Sequence, residues 1–132
     1  MSRLPRAQEH LKTGFNAEAA SAARLRAAAV RAQQEHRPNL ARALRELAAE
    51  KDSLALKQLE ASGQSRPIDD ALAAALAEER YENDALYPKM LRDVDGDAAE
   101  VIRSVLALQQ EHAQRLAEML DEVTRNRGDL TA

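Results

Sequence analysis

Residues 72–88, LAAALAEERYENDALYP, carry the pattern on which the fold reading turns. Leu72, Leu76, Glu79, Glu82 and Leu86 recur at spacings of three and four, and Ile68 and Met90 extend the row at either end. That period is a helix with one apolar face. Its middle nevertheless holds two carboxylates, and residues three apart lie on the same side of a helix.

The same period runs through most of the chain. A first helix is expected over about residues 4–35, on Leu11, Phe15, Glu18, Ala22, Leu25 and Ala29. His36-Arg37-Pro38 interrupts it, and Pro38 suits the first turn of the next helix. The second stripe is Leu40, Leu44, Leu47, Lys51 and Leu54, with Gly63 as the left-handed residue that ends the helix. Ser65 is expected to cap the third helix, with Pro67 in its first turn and Asp69 and Asp70 near the positive end of the dipole. Asp95-Gly96 makes the next break. A fourth helix, about residues 97–126, lies on Val101, Val105, Leu108, His112, Met119 and Val123. Four amphipathic helices with short connections define an all-α four-helix bundle. It is expected as a single domain over 1–132, with a hinge near 62–66 and a frayed tail at 127–132.

Composition narrows the chemistry. The chain has 132 residues and no cysteine, which excludes disulfides, a thiolate nucleophile, iron–sulfur clusters and cysteine zinc sites. A net charge of −3 gives no reason to expect nucleic acid or an acidic membrane as partner. The start, MSRLPRAQEH, lacks an apolar signal segment, and no long apolar run follows. The expected location is therefore cytoplasmic.

Each apolar stripe carries an ionisable residue near its midpoint: Glu18, Lys51, Glu79 with Glu82, and His112. In a bundle of similar-length helices those midpoints share one level. Two readings follow. Carboxylates and an imidazole converging inside a bundle are a metal-ligand set. Alternatively, the same residues stand at the stripe edges, reach water and pair with one another. Buried charge has to be paired or metal-bound, which favours convergence.

These residues sit in recognisable company. HLKTGFNAEAASA (10–22), RPNLARALRELAAEKDSLALKQL (37–59), LAAALAEERYENDALYP (72–88) and LALQQEHAQRL (106–116) resemble the four helices of the rubrerythrin branch of the ferritin-like superfamily. The resemblance implies a di-iron four-helix bundle. Many such proteins reduce hydrogen peroxide, often with electrons from a rubredoxin. It places Glu18, Glu79, Glu82 and His112 on metal-ligand positions. The remaining ligand positions hold Lys51, Leu54 and Gln109. An ammonium repels a cation, so the leading expectation is a chain without a cofactor. In it Lys51 replaces the metal's charge among the glutamates, and the role is structural or one of binding. The alternative is an iron-binding, non-haem peroxidase or oxidoreductase with one iron or an atypical di-metal site, served by an external electron donor. No catalytic residue is assigned.

The ferritin-like arrangement also requires helices two and three to run parallel. A second helix of about 24 residues is roughly 36 Å long, whereas the linker SGQSR (62–66) reaches at most about 18 Å. Either the helices alternate up and down, or two helical hairpins pair with those of a second chain. The latter, a domain-swapped homodimer, is the expected assembly.

Overall fold

The computed structural model of the chain describes residues 4–64, 66–126 and 128–130. Ser65, expected as a helix cap, lies outside the described residues, as do Arg127, Thr131 and Ala132 of the expected frayed tail. Every regular element among the described residues is helical: α1 (Leu4–Gln34), α2 (Pro38–Leu59), α3 (Ile68–Tyr81), a π-helical segment (Glu82–Leu86), α4 (Tyr87–Asp93) and α5 (Gly96–Asn126), with a kinked segment (Glu60–Gln64) after α2 in which Gly63 is left-handed at φ 81°. The all-α class is as expected. The chain divides into two compact units, Met1–Ser65 and Arg66–Ala132, and the boundary falls in the segment expected as the hinge. None of the described helices is long and apolar enough to cross a membrane.

The first unit is the α1–α2 hairpin. Its tip is locally determined. The Arg37 amide donates to Ala32 O at 2.8 Å, and the His36 amide to Gln33 O at 3.1 Å. This bond pair is the Schellman pattern, and His36 holds the left-handed position at φ 60°. Pro38 then opens α2 at its first helical position, as the sequence implies.

The contact between the two helices corrects the expected stripe. The buried positions are Ala22, Ala29 and Ala32 on α1 and Ala41, Ala48 and Ala55 on α2. Leu40, Leu47 and Leu54, expected in the core, are exposed. Alanine has no side chain beyond Cβ, so two alanine rows let the backbones approach closely. Each leucine, one residue before an alanine, is turned about 100° away from that contact.

The second unit packs α3 and α4 against α5, around Leu76, Ala99 and Val123, with Asn83 buried between them. Pro67 is the residue before α3 and not part of its first turn, whereas Asp69 and Asp70 do occupy that turn. The row from Ile68 to Met90 is one continuous helical path with a π-helical insertion. The Tyr87 amide reaches back five residues to Glu82 O. Pro88 accounts for the insertion: it has no N–H, and its ring would crowd the carbonyl four residues earlier. Gly96, at φ 62°, opens α5.

Two substitutions in the first unit should move stability in opposite directions. Ala48→Leu should cost about 1–3 kcal/mol by overpacking the alanine contact. His36→Gly should add about 1 kcal/mol by relieving a left-handed residue that bears a Cβ. Urea titration followed by circular dichroism measures both.

Candidate functional site

In the first unit, α1 and α2 bring two of the expected residues together. Lys51 Nζ lies 3.0 Å from Glu18 Oε2, with side chains 31% and 24% exposed. The pair is shielded but still reaches water. Glu18 Oε2 is buried and accepts no directed hydrogen bond, so the contact is an ion pair by proximity and not a well-aimed hydrogen bond. A second link, Arg26 Nη1 to Asp52 Oδ2 at 2.7 Å, lies on the exposed side of the same hairpin.

In the second unit, the π-helical segment positions the polar groups. Gln109 Nε2 donates to Glu82 Oε1 at 2.9 Å, and Asn83 Nδ2 donates to the backbone carbonyl of Gln109 at 3.1 Å. The inserted residue brings Asn83 inward, where it is 7% exposed. These two bonds also fix both carboxamides. Their nitrogens are engaged, so Asn83 Oδ1 and Gln109 Oε1 are the ends left over. Both are buried without a partner, as is Glu79 Oε2. Among the described residues these three acceptors meet no donor, which leaves their hydrogen-bonding capacity unused.

His112 departs from expectation. It is exposed rather than in the core, although it lines a cavity of about 280 Å³ with Glu79, Arg115, Leu116 and Met119. Tyr81 is likewise exposed, while Tyr87 is half-buried. Among the described residues, no group of three or more His, Cys, Asp or Glu side chains is placed to hold a metal ion.

The residues present do not fit the two-metal centre that the family resemblance implies. Adjacent di-cations need several carboxylates and tolerate no ammonium between them. Here Lys51 already lies against Glu18, and Gln109 already donates to Glu82. Leu54, at the other altered position, offers no donor atom at all. The chain matches no protein-family model, no curated protein and no solved structure.

Sequence periodicity located Glu18, Lys51, Glu79 and Glu82 but missed Asn83, because a polar residue off the apolar row scores as surface. Pro88 was the available signal. A proline inside a helical pattern forces the backbone to adjust within the preceding turn, and that turn contains Asn83.

Gln109→Ala removes the amide that donates to Glu82 and should cost about 1–2 kcal/mol. Gln109→Glu should cost more, since it sets two carboxylates against each other. Thermal unfolding of the two variants side by side checks the order.

Proposed function

We propose that this chain is a rubrerythrin-like four-helix protein that has given up its di-iron centre. Its two hairpins complete a bundle with those of a second copy, and its role is structural or one of binding. One observation carries the reading. Two of the three altered ligand positions hold a hydrogen-bond donor, and each donor faces a glutamate that remains. Lys51 is 3.0 Å from Glu18, and Gln109 donates to Glu82 at 2.9 Å. Beside Glu18 the ammonium supplies positive charge, and beside Glu82 the neutral amide supplies a hydrogen bond, where a metal ion would otherwise meet both carboxylates. The third position, Leu54, is apolar and points the same way.

Iron measured by elemental analysis, on protein purified without chelator, tests this. The parent chain should carry none in stoichiometric amount. The triple variant Lys51→Glu, Leu54→His, Gln109→Glu should gain it. Stoichiometric iron in the parent overturns the reading, and an iron-free triple variant overturns the correspondence of positions. Lys51→Ala should also destabilise the chain by about 1–2 kcal/mol. That figure is larger than for a fully exposed pair and smaller than for a dry one, because both side chains keep some solvent.

A second reading has one observation in its favour. Glu79 lines a cavity with His112, and one of its carboxylate oxygens is buried and unpartnered. A single iron there would make the protein a peroxide-reducing oxidoreductase dependent on an external electron donor. Peroxide consumption by iron-loaded protein, abolished by Glu79→Gln, would favour it.

A further inference from the structure

Between α4 and α5 the chain turns through Val94, Asp95 and Gly96. Asp95-Gly96 is the one place in the sequence where an aspartate or asparagine precedes glycine. The order carries chemistry. An aspartate carboxyl stands one methylene from the main chain, so the next residue's amide nitrogen can attack it and close a five-membered ring. Three things ordinarily hold that reaction off: bulk on the next residue, a hydrogen bond that engages its N–H, and a helix that fixes both residues.

All three are weak at this turn. Gly96 has no Cβ, and the space where one would stand is open to 4 Å. Gly96 is also the first residue of α5, and the first amides of a helix have no acceptor within it. Val94 and Asp95 lie outside the helices, and Asp95 is exposed. Val94 is extended at φ −133°, ψ 159°. Asp95 is tied to α5 through its carbonyl, which accepts from the Ala99 amide at 3.5 Å, beyond the usual length of such a bond. The other described aspartates and asparagines lie within helical segments, apart from Asp129. There the next residue is the bulky Leu130, whose amide already donates to Asp129 Oδ1 at 2.8 Å.

We propose that Asp95 is a site of spontaneous isoaspartate formation, a modification that the chain makes on itself. The Gly96 nitrogen attacks Cγ of the protonated Asp95 carboxyl. A C–N bond forms and a C–O bond breaks, and the amide proton and the carboxyl hydroxyl leave together as water. The succinimide then takes water back at one of its two carbonyls. Addition at Cγ restores aspartate. Addition at the main-chain carbonyl leaves the backbone running through Cβ and Cγ. No oxidant, enzyme or cofactor enters, and the reacting groups belong to adjacent residues, so the step needs nothing beyond this turn. The product carries an extra main-chain methylene where α4 gives way to α5. It moves the carbonyl that Ala99 uses, and Ala99 is buried at the packed start of α5. Ageing of the protein therefore loosens that end of the helix.

The test ages the full chain at physiological temperature and locates isoaspartate by electron-transfer mass spectrometry of its peptides. Isoaspartate should build up at residue 95 well ahead of Asp52, Asp84 and Asp129. It should form faster at about pH 5 than at about pH 8, because the carboxyl must be protonated to lose water. Gly96→Ala, which adds a Cβ beside the nucleophile, should slow it roughly tenfold or more. Asp95→Glu should also slow it, since the ring would need six members. Asp95→Asn should speed it, with ammonia leaving in place of water. Circular dichroism checks that each variant keeps its helix. The Tm of the aged parent should fall below that of Gly96→Ala aged beside it. Isoaspartate no faster at residue 95 than at the other aspartates, or unaltered in rate by Gly96→Ala, overturns the proposal. Isoaspartate at residue 95 without a fall in Tm overturns the loosening of α5 and leaves the modification standing.

Discussion

The first hairpin depends on an offset of one residue. Ala41, Ala48 and Ala55 each follow a leucine directly, and a helix turns about 100° per residue. Because the alanines take the contact with α1, the leucines cannot. The choice is physical. Two alanine rows permit a closeness of backbones that no leucine row allows, and dispersion between closely approached helices compensates for the smaller side chains. Everything distinctive about the hairpin follows: a slim contact, a leucine row facing outward, and Lys51 at the centre of that row.

Charge is handled by the same logic in both hairpins. A half-buried carboxylate needs a donor near it. In the first hairpin the donor is an ammonium brought to Glu18 across the alanine contact. In the second it is a carboxamide brought to Glu82 by α5. Neither arrangement is saturated. Glu18 Oε2 takes no directed bond, and Glu79, Asn83 and Gln109 each keep a buried oxygen unpartnered. Polar groups half-satisfied in this way leave each hairpin with buried hydrogen-bonding capacity unused.

Much of this was legible beforehand, and the failures are specific. The helix ends near His36, Gly63 and Gly96 could be read because proline and left-handed glycine act locally. The acidic first turn of α3 could be read from Asp69 and Asp70 for the same reason. What periodicity could not supply was the choice between two adjacent rows of α2. Hydrophobicity ranks leucine above alanine, while helix approach reverses the ranking. Nor could it supply the π-helical insertion after Tyr81, which displaces the register of every residue that follows and carries Asn83 inward. Glu79 and Glu82 were found because they precede or open that insertion. His112 was placed in the core on a row that instead leaves it at a cavity edge.

The tip at His36 has a consequence for how the chain reaches its final state. Its two turn-closing bonds span three and five residues, so the reversal of direction needs no distant contact to hold it. Structures built from near neighbours along the chain form fastest. The α1–α2 hairpin can therefore be complete while the leucine row is still bare. Closing the hairpin is then a unimolecular step, whose speed does not depend on how many chains are present.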